Sequence, residues 1–239
     1  MNIRFNPGEK KLSNEIDGFL SYRENGKIPF FIGINLLLIS IFIVPFQFVI
    51  INFPGPLGFL IRKVYYKFRC KYFGENAIVS YGCDIDFPKN ISLQPYCFID
   101  HHVTLTTITG YINIGRRVHV APYSIICGVG GIEIGDYAGI GAFARIYSHS
   151  ETPIDGLRLS GPMIPEKYKG MITKKVIIGK DALIGTGAVV LPGAIIGEGS
   201  IVTPNSLVPT NYTVKPWTIV SGIPVKLVGL RKKVNVPDI

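Results

Sequence analysis

From Val176 to Val208 the apolar positions fall six residues apart. Ile178, Ile184, Val190, Ile196, Val202 and Val208 are aliphatic without a break, and three of them open an Ile-Gly pair: Ile178-Gly179, Ile184-Gly185 and Ile196-Gly197. A period of six matches neither the turn of a helix nor the plain alternation of a hairpin meander. Fixed-period repetition is the mark of a solenoid in which three hexads close one coil. Each hexad is expected to be a short strand and a tight corner, with its aliphatic residue stacked inward on the equivalent residue one coil away. The glycine or small residue beside it lets the backbone approach closely.

Upstream the repeat is less regular. Val79, Ile85, Ile91, Cys97 and Val103 keep the step of six, and after a slip of one it resumes at Ile108, Ile114, Val120 and Ile126. An insertion within Cys127 to Glu133 shifts the register to Ile134, Ile140 and Ile146. Residues 149 to 173 carry no hexad pattern, and so long an excursion between short corners points to function. The tail from Val214 to Lys233 is basic, breaks the repeat and is expected to fold back over the last coil.

The N-terminal third has a different character. Residues 1 to 27 are polar and mixed in charge, suiting a short helix or an arm. No charged residue occurs from Ile28 to Ile61, and Phe30 to Ile51 is long enough to cross a bilayer as a helix. Pro45 interrupts this run, leaving a spanning helix and a bent re-entrant hairpin both open. Leu57, Leu60, Ile61, Val64, Tyr65 and Phe68 then recur at helical spacing, with Arg62, Lys63, Lys67 and Arg69 mostly off that stripe. Such a helix can lie in the headgroup plane and cap the first coil. The boundaries expected are a membrane-associating helical region at 1–72, a β-helix at 73–213 with a projecting loop at 149–173, and a tail at 214–239.

Charge divides along the same line. Residues 1 to 71 carry ten Lys/Arg against four Asp/Glu. Basic residues after the apolar run place the β-helix on the cytoplasmic face of the cell (inner) membrane. No long basic block or nucleic-acid motif accompanies them, so membrane contact through residues 28–71 is expected and nucleic acid is not. Cys70, Cys83, Cys97 and Cys127 are scattered without a CxxC pair, as reduced and packed thiols would be.

Chemistry concentrates where the ladder breaks, at Tyr147-Ser148-His149-Ser150-Glu151. A histidine is a natural general base near neutral pH. Glu151 is close enough in sequence to hold the His149 ring or stabilise its cation, as a carboxylate serves other catalytic histidines. His119, on a neighbouring coil, is a further candidate.

Ile134-Gly135 through Glu151, a projecting loop, Val176-Ile177-Ile178-Gly179, Leu191-Pro192-Gly193, Gly199-Ser200-Ile201-Val202-Thr203 and Gly222-Ile223-Pro224-Val225-Lys226 occur in that order. The chain from about residue 75 to 231 thereby resembles the hexapeptide-repeat acyltransferases, in their sugar and polysaccharide O-acetyltransferase branch. The resemblance implies a mainly β fold, a left-handed parallel β-helix preceded by N-terminal apolar helices, assembled as a homotrimer with sites between subunits. It implies acetyl-CoA as co-substrate, no metal, and a sugar hydroxyl of a surface-polysaccharide or lipid-linked glycan precursor as acceptor. The family's catalytic histidine, counted without gaps from Gly135, falls on Glu151, two residues beyond His149. The family's coenzyme contacts fall on Thr186, Glu198, Thr203 and Lys226, whose cation would meet phosphates. Where relatives commonly have Lys after the threonine, this chain has Pro204.

Two other classes compete. A zinc hydratase resembling the gamma carbonic anhydrases needs three imidazoles around one metal. His101, His102, His119 and His149 supply the number but not that family's close histidine pair. A non-catalytic trimeric scaffold at the membrane would need no base at all.

Overall fold

The structure, a computed structural model, describes residues 10–152, 156–159 and 161–238. It divides into two compact units, residues 1–52 and 53–239. The polar N-terminal segment forms the helix Lys10–Asn25, with residues 1–9 outside the described part.

The apolar run is one helix, Phe30–Asn52, and only 6% of its most apolar window is buried. Pro45 does not break it. The helix widens into a π-turn at Ile39–Ile43, where the Val44 amide bonds the carbonyl of Ile39 five residues back. A π-turn just before a proline relieves the clash and missing donor that the ring imposes on α-helical geometry. At about 1.5 Å per residue, twenty-three residues reach roughly 35 Å, enough for a hydrocarbon core of about 30 Å.

Residues 72–222 wind into a three-sided parallel β-helix. The first sheet runs from Tyr72–Phe73 to Thr213–Val214 in seven strands, and the third runs from Asp84–Ile85 to Leu207–Val208 in six. The second sheet runs from Ile78–Val79 to Thr218–Gly222 and is closed by the antiparallel strand Val225–Leu230. The repeat thus continues through Gly222, past the tail boundary at 214, before the chain turns back.

Inside, the aliphatic ladder is dry: Ile140, Ile184 and Val202 stack in register with at most 2% exposure. Two residues before each aliphatic, a small side chain such as Ala182, Ala188 or Ala194 fills the corner. The early ladder differs from the expected one. Ile108 is 46% exposed, and the continuous stack passes through Ile85, Leu93, Ile99, Leu105 and Ile114 instead. The reason is geometric. Every added residue sits at the edge joining the third sheet to the first, including the turn at Pro88–Asn90 and the 149–173 excursion.

The other two edges keep a fixed corner with one residue in the left-handed region. At the second–third edge these are Gly82, His102, Tyr123, Phe143, Gly187 and Asn205. Bulky residues rarely adopt that conformation. Here ring stacking from coil to coil offsets the strain, His102 on Tyr123 at 5.2 Å and Tyr123 on Phe143 at 5.1 Å.

The helix Gly55–Arg69 lies over the first coil. Its inward face is Gly58, Arg62 and Tyr66, one turn apart. Arg62 is fully buried and donates to the Val79 carbonyl at 2.9 Å and the Phe53 carbonyl at 2.6 Å. The outward face is the apolar stripe, with Leu57, Leu60, Val64 and Phe68 between 57% and 83% exposed.

Candidate active site

The excursion begins as an antiparallel pair, His149–Glu151 against Met171–Thr173. Its base is pinned by Ser148, which is completely buried. Ser148 Oγ donates to the Cys127 carbonyl at 2.9 Å and accepts from the Gly130 amide at 2.8 Å, while the Lys174 amide donates to the Ser148 carbonyl at 2.9 Å. Three segments are therefore tied at one residue, next to His149. Sequence reading passed over Ser148, although its place inside Tyr147-Ser148-His149 was in plain view.

His149 and Glu151 share one side of their strand. His149 is half-buried, and its Nδ1 has no hydrogen-bond partner among the described residues. Burial, and then the nearby charge of Lys169, hold its pKa below the usual histidine value. The ring meets Tyr147 edge-on at 6.4 Å. No hydrogen bond joins Glu151 to His149 among the described residues. The Glu151 carboxylate instead reaches toward the loop at Gly161, where a Cβ would lie 3.3 Å from Oε1. Parts of the loop, residues 153–155 and 160, lie outside the described residues, as does the Glu166 side chain.

The residues assigned to the coenzyme fall mainly on one edge. Thr186 and Thr203 are at second–third corners of successive coils, and Lys226 pairs with Ser221 in the next. Thr203 Oγ1 bonds Ser221 Oγ at 2.7 Å and Ser206 Oγ at 2.9 Å. Glu198 sits apart, exposed at the first–second edge. His149 is at the third–first edge. One face of about six residues at about 3.3 Å each separates it from the coenzyme edge, on the order of 15–20 Å.

A second cluster lies on the coenzyme edge, toward the N-terminus. The His101 amide and ring Nδ1 donate to Asp100 Oδ1 at 2.7 and 2.8 Å, and His119 Nε2 stands 3.4 Å from Asp100 Oδ2. Burial alone would raise the Asp100 pKa, but the hydrogen bonds from His101 and His119 bring it below the usual value. His101 stacks on Tyr81 and His119 on Phe98. No group of three metal-ligating side chains occurs among the described residues. The four thiols are unbridged, and burial pushes Cys83 and Cys97 up to about 12.

A three-sided coil of hexads with a projecting loop and a polar edge defines a hexapeptide-repeat protein. The bacterial transferase hexapeptide (six repeats) model matches residues 175–210. AntD, an N-acyltransferase from Bacillus cereus, in complex with dTDP and 3-hydroxybutyryl-CoA, is similar at 30% identity and a TM-score of 0.66, over 72% of this chain and 88% of that one. A dTDP-4-amino-4,6-dideoxy-D-glucose acyltransferase of Escherichia coli is 36% identical over 115 residues, 46% of this chain and only 57% of that protein. A hexapeptide-repeat acetyltransferase from Vibrio cholerae complexed with acetyl coenzyme A shares the fold, at 21% identity and a TM-score of 0.55, over 79% of this chain and 85% of that one. The chain belongs to the hexapeptide-repeat acyltransferase family and has its left-handed parallel β-helix fold.

Proposed function

We propose that this protein is an acyl-CoA-dependent sugar acyltransferase working at a membrane surface. The similarity to AntD along nearly the whole of that chain carries the reading, because that protein is described with an acyl-CoA and a nucleotide. Acetyl-CoA is the proposed donor and a sugar of a surface-polysaccharide or lipid-linked precursor the proposed acceptor. His149 takes the proton from the acceptor as its oxygen or nitrogen attacks the thioester carbonyl. The C–S bond then breaks, and coenzyme A leaves as the thiol. Since the thioester is already activated, the protein supplies a base and positioning.

The separation of His149 from Thr186, Thr203 and Lys226 supports a homotrimer in which one copy's loop meets the next copy's coenzyme edge. Two features support membrane attachment: the uncharged helix Phe30–Asn52 and the exposed stripe Leu57, Leu60, Val64 and Phe68 flanked by Lys63, Lys67 and Arg69. The basic residues after that helix favour the cytoplasmic face.

The relatives favour one variation. Both named sugar enzymes point to nitrogen rather than oxygen as the atom acylated, one by its amino-sugar substrate and the other as an N-acyltransferase. The test is coenzyme A release with acetyl-CoA and paired acceptors, hydroxyl and amino sugars, each free, nucleotide-linked and lipid-linked. Acceptor-dependent release supports the reading and identifies the atom. Coenzyme binding without transfer to any acceptor would remove it.

A further inference from the structure

Beyond the loop and the coenzyme contacts, one cluster on the coil surface remains without a role. Asp100 Oδ1 is saturated by two donors from His101, whereas Oδ2 has only His119, at the long distance of 3.4 Å. An ionised carboxylate can accept about four hydrogen bonds, so Oδ2 retains capacity for a further donor. Its side chain is 20% exposed and that of His119 is 51% exposed. His119 is supported from one side by the Phe98 ring, at 5.2 Å and nearly parallel. On its other side, the residue in register is Gly139, which has no side chain to cover it.

The position of the pair is as informative as its bonding. Asp100, Ala121, Gly141, Gly185 and Thr203 succeed one another in register along the second–third edge. Each coil adds about 4.8 Å, so Asp100 and Thr203 stand roughly 19 Å apart. At that register between them stand Ala121, Gly141 and Gly185, and the two glycines let successive coils approach closely, since a Cβ on either would meet the backbone of the next coil. Asp100 and His119 thus stand toward the N-terminal end of the edge whose other end holds Thr186, Thr203 and Lys226. Tyr123 and Phe143 lie on the same edge, 45% and 57% exposed. Aromatic faces beside a fixed carboxylate and an imidazole suit a sugar, which offers C–H faces to rings and O–H or N–H groups to acceptors.

We propose that Asp100 and His119 form the acceptor-sugar subsite, with Asp100 Oδ2 accepting a hydrogen bond from a hydroxyl or amino group of the sugar and His119 lining the same pocket. His101 is a positioning residue that holds the carboxylate. This rests on the acyltransferase reading and adds where the acceptor lies. An acceptor bound there and a coenzyme bound at Thr186 and Thr203 share one edge of the coil and approach each other along it.

The test is initial-rate kinetics on the detergent-solubilised full chain, with acetyl-CoA and dTDP-4-amino-4,6-dideoxyglucose, the acceptor described with AntD, alongside the hydroxyl and lipid-linked sugars already named. The variants are Asp100→Asn, His119→Phe, which keeps the stack on Phe98, and His119→Gln, which restores a polar nitrogen. Loss of a hydrogen bond to a charged group predicts a rise in acceptor KM of about tenfold or more for Asp100→Asn and His119→Phe. KM for acetyl-CoA and coenzyme A binding are expected to stay unchanged, and His119→Gln to recover part of the loss. Unchanged acceptor KM in both variants overturns the subsite while leaving the acyltransferase intact. So does a parallel rise in both KM values with a lowered unfolding midpoint, which marks a structural role. A wild-type protein that binds coenzyme A and acylates none of these sugars overturns the enzymatic reading and the subsite with it.

Discussion

Replacing His149 by alanine separates chemistry from folding in this protein. Loss of a general base costs about 10²- to 10⁴-fold in rate, or roughly 3–5 kcal/mol of transition-state stabilisation. The structural cost is small by comparison. His149 Nδ1 has no partner among the described residues, and the ties at the loop base run through Ser148, Gly130 and Lys174. Transfer is therefore expected to fall at least about a hundredfold with the unfolding midpoint unchanged. The pH dependence gives a second reading. Burial and Lys169 lower the His149 pKa, so the neutral, competent ring persists below the ordinary histidine value of about 6.5. The acid limb of kcat/KM should lie below that value in wild type, and Lys169→Met should move it upward. Stopped assays of thiol release across pH 5 to 9 measure both. A His149→Ala protein as active as wild type, or a wild-type limb above about 6.5, refutes the assignment.

Ser148→Ala removes a fully buried hydroxyl and leaves the part-buried Gly130 amide without its acceptor, for a loss of about 1–3 kcal/mol by denaturant unfolding. Unchanged stability would mean that the loop base is held elsewhere. In Gly185→Ala the new Cβ would stand 2.4 Å from the Pro204 nitrogen, so the adjoining coils must separate, at about 1–3 kcal/mol and with weakened coenzyme binding. Equal affinity by calorimetry would argue against a coenzyme contact there. The chain has one tryptophan, Trp217, so Phe68→Trp in vesicles of brominated anionic lipid should add a quenched emission that wild type lacks. An unquenched second emission would take the Gly55–Arg69 helix off the membrane. Because burial pushes the Cys70, Cys83 and Cys97 thiols up to about 12 and Cys127 to about 11, a thiol reagent at neutral pH should stay silent on the native chain and find all four after denaturation.

The regular half of the fold was readable because its determinants are local. From Val176 onward each hexad carries its own inward aliphatic, and register pairs Ile184 with Val202 as the period requires. The first coils misled because two residues per hexad point inward. Cys97 and Val103 belong to the corner set, two positions before Ile99 and Leu105, so a step of six can track either phase and slide between them. Pro45 left a continuous helix and a bend both open, because a helix answers a missing amide with a π-turn as well as with a break. The loop histidine could be named from the point where the pattern stopped. Asp100 could not, because its contact with His119 joins neighbouring coils, and nothing in one hexad announces what the next coil will place beside it.

The three edges of the coil are not equivalent, and the difference suits a transferase. Two edges are held by left-handed corner residues, one per coil, and the second–third edge also by rings stacked along the axis. An insertion there would break both the corner and the stack. The third–first edge has no such column through the early coils, and it alone carries extra residues, from the short turn at Pro88–Asn90 to the hairpin that bears His149. Variation can enter at that edge without disturbing the ladder. The second–third edge keeps a constant spacing from Asp100 to Thr203, with one left-handed corner per coil. On the proposed assignments, the base-bearing hairpin at the third–first edge and the coenzyme residues at the second–third edge do not meet within a single chain. Under the proposed function, packing of copies would bring the two edges together, so a variant held monomeric is expected to bind coenzyme A and fail to transfer.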